Sequence, residues 1–371
     1  MNSAERPAGE PRKVEVSLGK RSYSIEIGTG NLADVASFVH DISRATHVVL
    51  VTDEHLEATH AATVAERLDG TNATVDMVVI EPGEESKSIE MAEHLWEKML
   101  ELGTDRKSVV VAVGGGVVGD LAGFAAATFA RGLDFFQVPT TLLAQVDSSV
   151  GGKTGVNLPG AKNMVGAFWQ PRGVLVDTAV LATLPAREYR AGLAEAVKYG
   201  VILDADFFAY LETRRDGLID RNDEVLRHVI ARSCELKAQV VAADERETSG
   251  RRAVLNYGHT FAHAIEAVNG YGEMLHGEAV AVGMACASRL AERLGRVDAE
   301  FSRRQNALLA HLGLPLVLPA VSIDRLLEAM QHDKKTEHGR LRFVLPTRLG
   351  HVELVGNVSA DDARWALEST K

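Results

Sequence analysis

Cysteine is almost missing from this chain: 371 residues contain two, Cys234 and Cys286, with no C-x-x-C spacing. A disulfide framework and a paired-cysteine metal motif are therefore excluded, and the two thiols read as buried and free in a reducing compartment. No apolar run reaches the roughly 18 residues that cross a bilayer. Residues 1–13 are polar and lack the apolar stretch of a secretion signal, so they read as a short disordered tail. A cytoplasmic protein with no membrane partner is expected. Positive charge is also short, with 40 Lys and Arg against 51 Asp and Glu and a formal net charge of -11. Such a chain is a poor partner for nucleic acid, and an anionic substrate would have to meet a local cationic pocket. Repeats and low-complexity segments are absent as well. What remains is ordinary for a globular protein, with 46% hydrophobic and 25% charged residues, at a length that suggests two domains.

The first half alternates short β-branched runs with helical stretches. Residues 14–18 and 22–27 flank Gly19-Lys20 and suggest a hairpin. Runs at 47–51, 74–80, 108–113, 135–138 and 173–176 alternate with helix-compatible segments at 32–39, 55–68, 89–102 and 119–130. Continuous apolar strands separated by helices imply a parallel sheet covered on both faces. After Leu184-Pro185 the strand signals stop. Helical periodicity holds at 186–213, 223–245, 259–268, 277–294, 299–311 and 323–330, and 341–345 with 351–355 look like a small hairpin before a closing helix at 360–368. The expected organisation is a tail at 1–13, a Rossmann-like parallel-sheet α/β domain at 14–185, and a mostly α-helical, metal-binding domain at 186–371.

Two clusters in the first half suit a dinucleotide. Gly114-Gly115-Gly116-Val117-Val118-Gly119-Asp120 follows a strand and opens a helix, so Gly114, Gly116 and Gly119 fit G-x-G-x-x-G. Glycines let backbone approach a pyrophosphate, and the helix start offers free N–H groups. The motif lies after a later strand than usual, and no acidic residue ends a strand about 20 positions on. Asp53, at the carboxyl end of its own strand, is the candidate ribose partner. The second cluster, Asp147-Ser148-Ser149-Val150-Gly151-Gly152-Lys153-Thr154-Gly155, combines hydroxyls, glycines and a lysine, a mixture suited to phosphate; Lys162-Asn163 adds a charge nearby. The polar turn Pro82-Gly83-Glu84-Glu85-Ser86-Lys87 and the pair Thr140-Thr141 each follow a strand, and taken alone each is only a loop.

The second half carries metal-binding residue types. His259 and His263 lie at i and i+4 of Asn256-Tyr257-Gly258-His259-Thr260-Phe261-Ala262-His263 and share one helical face. Thr260 stands where a zinc protease needs glutamate, so that chemistry is not indicated. His276 opens the next helix, and Glu195 with Lys198 sits on a helix of small and apolar residues. One carboxylate with two of these histidines, positions being left for water or substrate, is a catalytic zinc pattern.

Taken in order, the segments 114–120, 137–157 (QVPTTLLAQVDSSVGGKTGVN), 162–170, 192–200, 235–248 (ELKAQVVAADERET), 255–266 (LNYGHTFAHAIE), 276–280 and 333–335 resemble 3-dehydroquinate synthase, from about residue 14 to residue 355. The resemblance implies Glu195, His259 and His276 as ligands of a divalent ion, Zn2+ or Co2+, with His263 turned to a substrate phosphate. It implies NAD+ contacts from Asp53, Gly83, Glu84, Lys87, the 114–120 turn, Thr140, Thr141, Lys153, Lys162 and Thr183. Lys153, Asn163, Asn256, His263 and a lysine of Asp333-Lys334-Lys335, taken as Lys335, resemble the phosphate group of residues. Arg252 and Lys237 resemble the substrate carboxylate and hydroxyl contacts, Asp147 and Lys198 sit at the hydroxyl that is oxidised, and Arg131 resembles a residue reaching into a neighbouring subunit of a homodimer. Two departures stand out: Phe129 replaces the tyrosine of a Tyr-x-Arg-Gly run, and one extra residue falls within 248–252.

The implied reaction takes 3-deoxy-D-arabino-heptulosonate 7-phosphate to 3-dehydroquinate and phosphate in the shikimate pathway. It proceeds by transient oxidation with NAD+, phosphate elimination, reduction and intramolecular aldol closure. A sibling sugar phosphate cyclase would share the metal and dinucleotide motifs but not the need for Arg252 and Lys237. A metal-dependent polyol dehydrogenase would lack Lys153, Asn163 and His263, and a non-catalytic scaffold would have no use for these charged residues.

Overall fold

In a computed structural model of the chain, residues 11–70, 73–159, 161–270, 273–332 and 341–371 are described. Lys335 and residues 1–10 of the expected tail lie outside them. The chain forms two compact units: Met1–Leu184 with Leu226–Arg246, and Pro185–Val225 with Glu247–Lys371. It therefore crosses from one unit to the other three times, where the sequence reading has a single break at 185/186.

The first unit is built on a sheet. Its strands are β1 (Arg12–Val16), β2 (Tyr23–Gly28), β3 (His47–Asp53), β4 (Thr74–Ile80), β5 (Val109–Gly114), β6 (Asp134–Pro139) and, after a separate β7 (Lys153–Leu158) and β8 (Ala161–Phe168) hairpin, β9 (Gly173–Asp177). The sheet order is β1-β2-β9-β6-β5-β3-β4. β1 pairs antiparallel with β2, and the other neighbours are parallel. β1 begins at Arg12, so Arg12 and Lys13 belong to the hairpin and not to a tail. Buried strands show why parallel pairing wins: in β3, Val49 and Val51 join one core while Val48 and Leu50 join the other, so both faces need covering. α1 (Val35–Ile42) and α2 (Ala62–Asp69) pack on one side; α3 (Ile89–Glu101) and α4 (Gly116–Thr128) pack on the opposite side. Phe129, in place of the expected tyrosine, packs against the α3–α4 core.

The β7–β8 hairpin has no counterpart in the sequence reading: the end of the 147–155 cluster, from Lys153 onward, is strand. Half-exposed, glycine-bearing strands show no apolar periodicity, which hides them from pattern reading.

The second unit holds α5 (Ala186–Leu203), α6 (Ala205–Thr213), α7 (Arg215–Ile219) and the first turn of α8 (Asp223–Ala243), whose remainder belongs to the first unit. Then follow α9 (His259–Asn269), α10 (His276–Arg293), α11 (Ala299–His311), α12 (Ile323–His332), the antiparallel hairpin β10 (Leu341–Arg348) with β11 (His351–Val358), and α13 (Ala360–Glu368). The single helix expected over 186–213 is two: Asp204 leaves helical geometry and its side chain accepts from the N–H groups of Asp206 and Phe207, capping α6. No described helix is long and apolar enough to cross a membrane.

Candidate active site

In the first unit Asp53, the 83–87 loop, the 114–120 turn and Thr140-Thr141 stand at or just beyond the carboxyl ends of β3, β4, β5 and β6, whereas Lys153 and Lys162 lie on the separate β7–β8 hairpin. Strand order reverses between β3 and β5, because the chain runs outward from β3 to β4 and returns to the opposite side of β3 for β5. Ligands of open α/β sheets bind at such a switch point. Asp53 ends β3 and Gly114 ends β5, so the two flank it, and Thr52 Oγ1 donates to the Val113 carbonyl across it at 2.9 Å. Burial raises the Asp53 carboxyl above its ordinary value.

The glycines of the 114–120 turn are required by close approach and not by backbone angle. A Cβ on Gly114 would lie 2.6 Å from Val118, and one on Gly119 would lie 2.8 Å from Gln137 Oε1. Gly115 and Gly116 face Thr141 and Ser148, and Gly116 opens α4 with its free N–H groups. Thr140 is buried and its N–H donates to the Gly114 carbonyl. The Thr183 hydroxyl donates to Val180 and meets His60 Nε2 at 2.8 Å. Lys87 is buried; its ammonium lies 2.9 Å from Asp120 Oδ2 and 3.5 Å from Glu84 Oε1. Burial works against that charge, but the two carboxylates outweigh it and raise the lysine pKa. Lys87 and Asp120 thus bolt the 83–87 loop to the start of α4. Lys153 and Asn163 are exposed on the β7–β8 hairpin with the half-buried Lys162 beside them, and Arg131 is exposed in the turn after α4. Lys237, on α8, reaches Asp147 twice, at 2.9 Å to Oδ1 and 2.7 Å to the carbonyl.

In the second unit Glu195, His259 and His276 each place a donor atom within 4.8 Å of the others. Three helices supply them, and glycines let the helices approach. A Cβ on Gly277, next to His276, would collide with the Ala191 carbonyl one turn before Glu195 on α5. Gly258, next to His259, and Gly283 of α10 pack against each other with no room for side chains. Gly258 also has φ of 78°, which few other residues adopt.

The chemistry of this set fits a divalent cation. His259 Nδ1 lies 3.1 Å from the Tyr257 carbonyl, which can only accept, so Nδ1 carries the proton and Nε2 offers its lone pair. That lone pair faces Glu195 Oε1 at 3.6 Å. His276 repeats the arrangement, with Nδ1 3.3 Å from Glu266 Oε2 and Nε2 3.7 Å from Glu195 Oε1. Carboxylate and carbonyl partners on the outer nitrogen are how metal-binding imidazoles are oriented. Glu195 is fully buried, and neither oxygen has a satisfying hydrogen bond, although Lys198 is ion-paired to Oε2 from the same helix. A buried carboxylate so placed is costly until a cation meets it. Burial first, then the Lys198 ammonium, lowers His259 well below the ordinary imidazole range and keeps it neutral. His276 is raised: burial opposes its charge, but Glu266 and Glu195 outweigh that.

His263, the i+4 partner, is exposed, with its ring centroid 5.5 Å from that of His259 and 6.4 Å from that of His276. Asn256 ends the short helix Arg251–Asn256 and is half-buried. Arg252 is buried, its Nε 3.4 Å from Glu247 Oε1. Sequence reasoning gave Glu266 no role. Its spacing of seven from His259, on one face of the same helix, was the available signal. The glycines at 258, 277 and 283 were equally silent, because what they touch is distant in sequence.

Against this geometry the comparisons are direct. Residues 77–191 match the family described as 3-dehydroquinate synthase N-terminal, and residues 192–336 match 3-dehydroquinate synthase C-terminal. A 3-dehydroquinate synthase of Rhodopirellula baltica is 55% identical over 355 residues, covering 94% of each chain. Among solved structures, a 2-deoxy-scyllo-inosose synthase complexed with carbaglucose-6-phosphate, NAD+ and Co2+ has a TM-score of 0.89 at 28% identity, over 97% of this chain and 100% of that one. A 2-epi-5-epi-valiolone synthase from Streptomyces hygroscopicus with NAD+ and Zn2+ bound has a TM-score of 0.87 at 29% identity, over 95% and 98%. With both halves matched and more than half of the residues shared with a curated member, this chain belongs to the 3-dehydroquinate synthase family.

Proposed function

We propose that the chain converts 3-deoxy-D-arabino-heptulosonate 7-phosphate to 3-dehydroquinate and inorganic phosphate, using NAD+ and a divalent metal, Zn2+ or Co2+. It acts in the cytoplasm as a homodimer to which Arg131 contributes across subunits. The observation that carries this reading is the 55% identity to a 3-dehydroquinate synthase over 94% of both chains. When bound, NAD+ supplies a reversible hydride acceptor and the metal a Lewis acid.

The chain's own residues do the remaining work. Glu195, His259 and His276 hold the ion, while Lys198 balances the buried carboxylate beside it. Asp53, the 83–87 loop and the start of α4 hold the dinucleotide at the switch point. Lys153 and Asn163 offer charge and amide to a departing phosphate, and so answer the problem an acidic chain has with an anionic substrate. Arg252 suits the substrate carboxylate: a buried guanidinium presents a planar fork to a planar anion, and Glu247 holds that place in the free protein. The Lys237–Asp147 pair keeps a proton donor and acceptor adjacent near the hydroxyls.

The test follows phosphate and NADH together in one reaction with this substrate, catalytic NAD+ and zinc. Phosphate released far beyond the NAD+ present, with no standing NADH, supports the reading. NADH rising one-for-one with substrate would make the chain a dehydrogenase, and phosphate from neutral sugar phosphates alone would make it a sibling cyclase. Arg252→Ala is expected to raise the substrate KM about 10- to 100-fold, the loss of a charged hydrogen-bonded contact of about 1.5–3 kcal/mol. An unchanged KM would remove Arg252 from the carboxylate.

A further inference from the structure

We propose that Asn157 is a positioning residue that couples the dinucleotide loop to the phosphate arm. The inference rests on the reading above, in which the 83–87 loop contacts NAD+ and Asn163 contacts phosphate. Asn157 lies in β7 where the β7–β8 ladder is irregular, between the pairs Val156 with Val165 and Leu158 with Ala161. Released from regular pairing, its N–H donates to the Lys87 carbonyl at 2.7 Å. Its Nδ2 donates to Glu84 Oε1 at 2.8 Å, and its Oδ1 accepts from the Asn163 N–H at 2.8 Å. The orientation of the amide is fixed by its partners, because a carboxylate only accepts and a backbone N–H only donates.

The bond from Asn157 fixes the backbone of Asn163. Its φ is 55°, a left-handed conformation that asparagine adopts more readily than most residues and that the bond to its own N–H holds in place. From Glu84 the path continues through Lys87 to Asp120 at the start of α4. A contiguous polar chain therefore runs Asn163–Asn157–Glu84–Lys87–Asp120, joining the residues that meet the phosphate to those that meet the dinucleotide. Only a side chain with a donor and an acceptor on one planar group serves both neighbours; aspartate keeps the bond to Asn163 and loses the one to Glu84. Because each ligand orders one end of this chain, each makes the other's site cheaper to order, and that coupling is reciprocal.

Titration of NAD+ binding by calorimetry, with and without saturating inorganic phosphate, measures the coupling. Wild-type protein should bind NAD+ about 5- to 10-fold more tightly with phosphate present, a coupling at the low end of the usual range. In N157D and N157A that factor should fall to about one. The double variant N157D/E84Q, in which amide and carboxylate exchange sides, should recover part of it; a merely structural role for Asn157 would give no such rescue. A coupling factor unchanged in both single variants, or absent in wild type although both ligands bind, would overturn the proposal. Wild-type protein that binds no NAD+ at all would instead overturn the functional reading beneath it.

Discussion

His276→Ala is expected to yield a folded protein that purifies without stoichiometric metal and loses at least about three orders of magnitude in turnover. A Lewis acid contributes several kcal/mol to stabilising developing charge, and each 1.36 kcal/mol is a factor of ten in rate. His276 supplies one of three donor atoms lying within 4.8 Å of one another. The ion would be left with Glu195 and His259, fewer than the three protein ligands of catalytic sites. The fold should survive. The His276 side chain is 34% exposed at the first position of α10, and its contacts are polar partners rather than core. Its loss takes a partner from two buried carboxylates, Glu266 and Glu195, so some stability is lost together with the metal. Metal analysis and denaturant unfolding on one sample separate the two effects. Full zinc content with near-normal turnover would remove His276 from the ligand set.

The second large effect comes from a residue with no chemistry. Gly277→Ala should destabilise the protein by about 1–3 kcal/mol and weaken metal binding, although alanine is the better helix former by up to about 1 kcal/mol. Backbone contact decides the sign. A Cβ at Gly277 would run into the carbonyl, carbonyl carbon and Cα of Ala191, and backbone yields less readily than a flexible side chain. α10 must then back away from α5, carrying His276 away from Glu195, whose facing atoms stand 3.7 Å apart. Unfolding curves and metal affinity measured side by side check this. A stability change within about 0.5 kcal/mol, with unaltered metal affinity, would show that the helices do not depend on that approach.

How far the molecule could be read from its residues differs by region. β3 and β5 are plain in sequence because strands covered on both faces become unbroken apolar runs. The β7–β8 hairpin is not, since its exposed residues obey no period. The break between α5 and α6 was missed because Asp204 interrupts an apolar rhythm that continues on either side, and only its capping bonds show the stop. The single boundary expected near residue 185 overlooks α8, most of which returns to the first unit. A helix's periodicity says that it has a buried face but not which core the face enters.

The α/β and helical halves, the glycine turn after a strand, and residue types suited to metal, phosphate and dinucleotide are all legible in the sequence. These follow from covalent spacing, which sets side-chain direction along a strand or helix wherever that element lies. Which donors meet depends on tertiary packing. His259 and His263 share a helical face in sequence, yet the donors that converge are those of His259, His276 and Glu195, brought in from three helices, with Glu266 and the Tyr257 carbonyl behind the imidazoles. Asn157 likewise has no period to mark it, and its role depends on three partners from two segments. Convergence is set by how closely backbones approach, and that depends on pairs such as Gly277 with Ala191 and Gly258 with Gly283, far apart along the chain.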